Sequence, residues 1–201
     1  MQSEPLTEIH TMPHDAIWQH VLTVAPLVVI GTRDADGTHN FAPKHMAMRL
    51  SWNDHYGFVC TPEHRTYQNI ARDSVFTVSY PRPNQIIMTS LAADQRTTDD
   101  VKPALAALPV FPARTIYGVF LQDAYLFLEC RLERMIDGLA DNSLVIGRIV
   151  AAHVSADALI NDEREANDML AASPLLAYLD WGHFARIDKS APFPFLSDFK
   201  R

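Results

Sequence analysis

Lys44, His45, Arg65, Thr66 and Asn69 have the types and spacing to do chemistry together. Lys44 and His45 end one strand-like segment; Arg65, Thr66 and Asn69 open a helix-like one. Such a set can hold an anion, because a phosphate needs cationic partners and N–H or O–H donors, and the first turn of a helix leaves amides without acceptors. The same residues have plainer uses. Lysine and arginine on loops are commonly just solvated, and Thr66 can cap the helix. A second set overlaps the first, Phe41-Ala42-Pro43-Lys44-His45-Met46. Small residues there let a flat ring approach the backbone. Pro43 removes a ladder donor, so its strand belongs at a sheet edge or bulge. An ordinary edge strand reads the same way.

Other chemistries find little support. His10 and His14 are four apart, but no acidic third ligand accompanies them, and neither HExxH nor a zinc-type Cys/His spacing occurs. No metal site is expected. Cys60 and Cys130, the only cysteines, lie in apolar strand-like contexts and read as buried thiols. Among only 7 glycines none forms GxGxxG or a P-loop, which argues against a Rossmann dehydrogenase or a nucleotide kinase. Ser90 and Ser143 have no GxSxG context.

The elements that must position these residues follow from pattern. With 201 residues, 48% hydrophobic, the chain can build a sizeable core, and it is read as one domain spanning 1–201. A net charge of -7 argues against a general nucleic-acid surface. No apolar run reaches the roughly 20 residues of a membrane span. The amino terminus lacks a signal-peptide pattern, and a cytoplasmic location is expected.

Residues 1–12 read as a loose arm and 15–24 as a short helix stopped by Pro26. The continuous apolar run Leu27-Val28-Val29-Ile30 predicts a strand buried on both faces. Asp34-Ala35-Asp36-Gly37 predicts a tight turn, so the next strand returns antiparallel. Strands are expected over 56–61 and 75–80, with a helix over 65–73 between them. The stretch 91–112 reads as a long connection with one or two helices. Two long strands, 119–134 and 143–154, are expected around a turn near Asp137-Gly138. A mainly helical 156–170, a last strand over 177–187 and an apolar, proline-stiffened tail around 192–195 complete the chain. This pattern predicts a mainly β fold, an antiparallel barrel with helical decoration; a sandwich leaves the same marks.

Taken in order, the motifs resemble the flavin reductase-like family of FMN-binding split barrels. That family shows an apolar strand, a D-x-D-G turn, N-x-A-P, F-x-C-T-P and a T-x-x-N-I helix start. Here these are 28–32, Asp34-Ala35-Asp36-Gly37, Asn40-Phe41-Ala42-Pro43, Phe58-Val59-Cys60-Thr61-Pro62 and Thr66-Tyr67-Gln68-Asn69-Ile70. Segments 128–132 and 144–150 resemble two later barrel strands, and 174–178 with the region around Trp181-Gly182-His183-Phe184 the closing segment.

The resemblance implies a split antiparallel β-barrel, a homodimer, and FMN near the dimer interface, with FAD as the alternative flavin. It implies that Ala42, Pro43, Lys44, His45 and Met46 lie along the flavin ring and ribityl chain. The phosphate would be held around Arg65, Thr66 and Asn69, with Cys60 and Thr61 nearby. Two departures stand out. Asn53-Asp54-His55 replaces a pair of prolines, and Ala140-Asp141-Asn142-Ser143 replaces the G-D-H-T whose histidine is thought to help bind nicotinamide. The implied activity is transfer of electrons from NAD(P)H through FMN to a flavin, a ferric complex, oxygen or a partner protein. No side chain is assigned as catalytic. His45 and His183 are the candidates for proton delivery or nicotinamide contact. A flavin carrier or sensor without efficient NAD(P)H turnover is the alternative, and a split barrel with heme or pyridoxal phosphate in place of flavin is a third reading.

Overall fold

The computed structural model describes residues 10–98, 100, 102–160, 166–180 and 182–192. Its strands are β1 (Val24–Pro26), β2 (Val28–Arg33), β3 (His39–Lys44), β4 (Ala47–Arg49), β5 (His55–Cys60), β6 (Val75–Tyr80), β7 (Val110–Pro112), β8 (Val119–Leu121), β9 (Leu126–Leu139), β10 (Asn142–Val154), β11 (Leu175–Leu179) and β12 (His183–Ile187). The α-helices are α1 (Arg65–Asp73), α2 (Ile86–Leu91) and α3 (Ala166–Ala172).

The Asp34–Gly37 turn makes the expected hairpin. Gly37 takes φ +85°, which glycine adopts without steric cost, and Asp36 accepts a hydrogen bond from the Thr38 amide at 2.9 Å. β2 and β3 then pair antiparallel from Val28 with Lys44 to Arg33 with His39. Seven strands form one sheet in the order β3-β2-β6-β9-β10-β5-β4. Its edge strands β3 and β4 adjoin in sequence across His45 and Met46, so the sheet curls into a split antiparallel barrel. Pro43 lies on edge strand β3, where its missing N–H breaks no central ladder.

The barrel interior is built by Val28, Ile30, Tyr56, Phe58, Phe76, Val78, Cys130 and Val145, none more than 1% exposed. Val29 and Phe41 pack on the other side of the β2–β3 hairpin against Leu108, Val119 and Leu121. The apolar run of β2 is therefore buried on both faces. Gly31 permits this second layer. A Cβ there would stand 2.7 Å from the Val119 carbonyl oxygen and 2.3 Å from Thr77 Oγ1. One charge is enclosed in the same region. Glu129 of β9 is 0% exposed and accepts hydrogen bonds from the amides of Arg114, Thr115 and Ile116 at 2.8, 2.7 and 3.0 Å, and from Thr115 Oγ1 at 2.5 Å. His153 Nε2 of β10 lies 2.9 Å from the same carboxylate.

Several expected elements come out differently. Within 15–24 only Ile17–Gln19 forms a helical turn, of the 3₁₀ type, and Val24–Pro26 is a strand instead. Among the described residues Trp18 and Leu22 stay 67% and 66% exposed, while Val24–Pro26 finds antiparallel partners in Ala177–Leu179. The stretch 119–134 is broken into β8 and β9 by a turn in which Asp123 takes φ 61°. The β9–β10 hairpin turns at Ala140-Asp141, not at Asp137-Gly138; Gly138, at φ +85°, sits in a bulge where Asn142 pairs with Leu139 but Leu144 with Ile136.

The connection holds a 3₁₀ turn, Pro103–Ala107, and β7, while the α-helix α2 precedes it. The expected last strand is two strands, β11 and β12. With β1 they form a separate three-stranded sheet in the order β1-β11-β12, so they do not close the barrel. In 156–170 the described helical pieces are Ala156–Ala158 and the start of α3. Residues 1–9 of the arm, Trp181 and positions 193–195 of the tail lie outside the described residues.

Candidate functional site

A cavity of about 550 Å³ opens beside edge strand β3. β3 supplies Asn40, Ala42, Pro43 and Lys44; the start of α1 supplies His64, Arg65 and Thr66; the connection supplies Arg96, Asp100 and Lys102. Asn40, Ala42 and Lys44 share one strand face because side chains alternate with period 2. The loop from β5 delivers α1 with His64 in extended geometry (φ -73°, ψ 139°) and no side chain capping the helix, so its first-turn amides keep their capacity to donate.

A buried polar network seats α1 on the β2–β3 hairpin. Thr66, Asn69 and Ile70 form its buried face at helical spacing. Asn69 Nδ2 donates to Thr32 Oγ1 at 3.1 Å and to Asp34 Oδ1 at 2.8 Å. Asn40 Nδ2 donates to Thr32 Oγ1 at 3.1 Å and to Thr66 Oγ1 at 3.2 Å. Thr66 therefore does not cap the helix; it anchors the helix to β3.

The connection adds charge. Arg96 Nη2 donates to Asp34 Oδ2 at 2.7 Å and to Asn40 Oδ1 at 2.9 Å. The Lys102 ammonium donates to the carbonyls of Phe41 and Ala92 at 3.2 and 3.1 Å, crossing from the connection to the strand. The Asp100 carboxylate pairs with Arg65. Burial, and then the Arg96 charge, push the Lys102 amine below its ordinary value; burial followed by Lys44 does the same to His64. The cavity wall thus carries Lys44, Arg65, Arg96 and Lys102 together with the carboxylates of Glu63, Asp94 and Asp100.

Of the residues singled out in the sequence, the structure brings Ala42, Pro43, Lys44, Arg65 and Thr66 to this cavity. The others lie elsewhere. Asn69 is 1% exposed and spent on the hairpin network. Cys60 is 1% exposed in the barrel core, where burial pushes its thiol up while the Lys44 ammonium works against that shift. Thr61 Oγ1 donates to Asn142 Oδ1 at 3.2 Å, beside the β9–β10 turn. His45 stacks on Tyr178 with ring centroids 4.3 Å apart, joining the barrel to the small sheet; burial pushes its imidazole down against the pull of Asp180. Met46 is 51% exposed. His183 is exposed on β12, opposite Leu179. Sequence reasoning missed His64, Arg96, Asp100 and Lys102. The one available signal was the charged run from Asp94 to Asp100 inside an otherwise apolar connection.

Comparison with known proteins agrees with this architecture. The fold is similar to 2-nitrobenzoate 2-nitroreductase NbaA of Pseudomonas fluorescens, with TM-score 0.78 and 16% identity over 97% of this chain and 99% of that one. It is similar to nitrilotriacetate monooxygenase component B of Bacillus cereus, with TM-score 0.76 and 18% identity over 95% and 100% of the two chains. An FMN-binding protein of Thermus thermophilus, solved with bound 1-cyclohex-2-enone, matches with TM-score 0.72 and 20% identity over 94% and 100%. The family model described as the flavin reductase like domain matches residues 22–183, four-fifths of the chain, with the cavity-bearing β3, α1 and connection inside it. This chain belongs to the flavin reductase-like family.

Proposed function

We propose that the protein is an FMN-dependent oxidoreductase that takes electrons from NADH or NADPH and delivers them to a flavin, a ferric complex or a protein acceptor. The observation that carries this reading is the cavity beside the proline-bearing edge strand, with Lys44, Arg65, Arg96 and Lys102 in its wall. Its volume, about 550 Å³, lies in the range of small-molecule and cofactor sites. Its donors suit a phosphate at one end, and Ala42 and Pro43 leave room for a flat ring along β3. FMN, when bound, supplies the redox chemistry itself.

The chain's own residues bind and orient. Lys44 and Arg65 hold the phosphate with the first-turn amides of α1. Thr66, Asn69 and Asn40 fix α1 against β3 so that these groups face one space. Arg96 and Lys102 tie the connection to β3 beside the cavity. His45 and His183 are the histidines for nicotinamide contact, His45 being oriented by its stack on Tyr178. Two copies join over exposed apolar side chains such as Val24, Met48 and Trp52, with flavin near their interface. Sedimentation of the purified chain checks this; a monomer at micromolar concentration rejects it.

The decisive experiment is FMN titration followed by anaerobic rapid mixing with NADH and with NADPH. Uptake of FMN and bleaching of its blue absorbance by either nucleotide are expected. Protein that takes up no FMN overturns the flavin site. Protein that binds FMN but is bleached by neither nucleotide is a carrier instead. One observation favours that second reading: Asn142, in the segment where many reductases carry a histidine, is engaged by Thr61.

A further inference from the structure

The anion cluster already holds an anion of its own. The Asp100 carboxylate accepts a hydrogen bond from Arg65 Nη2, and its Oδ1 lies 3.6 Å from Arg96 Nη1. The backbone sets it there. Arg96 Nη1 donates to the Asp100 carbonyl at 2.5 Å, and the Asp100 amide closes a turn onto the Thr97 carbonyl at 2.9 Å. Asp100 takes φ 60°, a left-handed conformation that favours glycine and that aspartate tolerates better than most residues. Arg96 is itself pinned to Asp34 and Asn40, so the carboxylate is delivered to Arg65 by a braced support.

The pair is nevertheless open to exchange. The side chains of Arg65 and Asp100 are 36% and 56% exposed, so water screens their attraction. Arg96, Asp100 and Lys102 also line a neighbouring cavity of about 360 Å³, which gives a displaced Asp100 side chain somewhere to go.

The geometry points to Asp100 as a built-in competitor for Arg65 against the flavin phosphate, which makes FMN an exchangeable substrate rather than a permanent prosthetic group. This rests on the phosphate assignment made above. The Asp100 carboxylate takes the Nη2 edge of the Arg65 fork, so a phosphate that binds that same edge has to displace it. A phosphate monoester carries nearly two negative charges at neutral pH against one on the carboxylate, so it displaces Asp100. When it leaves, Asp100 returns to Arg65.

The test is fluorescence titration of the full chain with FMN and with riboflavin, and stopped-flow release of FMN. It compares the wild type, Asp100→Asn, Asp100→Ala and Arg65→Ala. Both Asp100 variants are expected to bind FMN about five-fold tighter and release it correspondingly slower, the upper end for an exposed ion pair. Riboflavin affinity stays unchanged. Unchanged or weaker FMN binding by the folded Asp100 variants, with Arg65→Ala still losing FMN over riboflavin, overturns the competitor role alone. Equal weakening of both ligands makes Asp100 a brace of the connection and likewise overturns it. If Arg65→Ala affects FMN and riboflavin alike, the phosphate assignment falls and the competitor role with it.

Discussion

Glu129 and Asp100 are both carboxylates that meet N–H donors, and they behave as opposites. Glu129 is sealed inside, with three amides, a hydroxyl and His153 around it. Burial alone would raise its carboxyl; the Thr115 hydroxyl, the Arg114 amide, His153 and the Thr115 amide together hold it at about 2. Asp100 has one guanidinium partner at close range, a second further off, and water over half its surface. Saturated donors and excluded water make the first charge part of the scaffold, tying 114–116 to β9 and β10. Partial pairing and open solvent make the second an exchangeable contact. The same functional group is structure or site according to its enclosure.

Removing one charge from each tests that contrast directly. Glu129→Gln is expected to cost about 3 kcal/mol, since the shift from 4.5 to about 2 converts at about 1.4 kcal/mol per pH unit. Urea unfolding at neutral pH measures it, and the preference for FMN over riboflavin should not move. A loss under about 1 kcal/mol would mean that the carboxylate's enclosure contributes little, and the contrast fails. The pH dependence gives an independent view. Because the folded-state value is depressed, the Glu129 contribution is complete above the unfolded value of 4.5 and disappears as pH falls through about 2. The stability gap between wild type and Glu129→Gln should therefore close across that window, in unfolding curves taken at successive pH values.

Gly31→Ala probes the layer that presents 114–116 to Glu129. A Cβ must displace the β8 backbone, at an expected cost of about 2 kcal/mol by thermal melting. Wild-type stability would show that β8 can shift without loss, loosening the scaffold side of the comparison.

The open side should respond in binding rather than in stability. Arg65→Ala is expected to weaken FMN about ten-fold, with riboflavin unaffected because it carries no phosphate. The smallest expected effect is that of Asp100→Asn on folding, within about 0.5 kcal/mol in urea. A loss comparable to that of Glu129→Gln would erase the distinction between the two carboxylates.

Much of the fold was legible along the chain. The β2–β3 hairpin, the doubly buried run of β2, the edge position of Pro43 and both ends of α1 come from turn residues, apolar continuity and proline geometry, all of which act over a few residues. The errors fell where local preference was outvoted. Val24–Pro26 became a strand because β11 was there to pair with it. The candidate site was legible by half. Lys44, Arg65 and Thr66 were placed by motif, while Asn69 fitted the same motif yet turned away into Thr32 and Asp34.

The sequence by itself determined the β-rich class, the proline-bearing edge strand and the helix start near it, because each is written in neighbouring residues. Only the tertiary structure decided what surrounds that helix start. Arg96 reaches Asp34 across 62 positions and Asp100 reaches Arg65 across 35. The enclosure that separates Glu129 from Asp100 is likewise supplied by segments distant in sequence. Periodicity and turn chemistry are short-range properties of the chain, whereas ion pairing and desolvation depend on what the fold carries into contact.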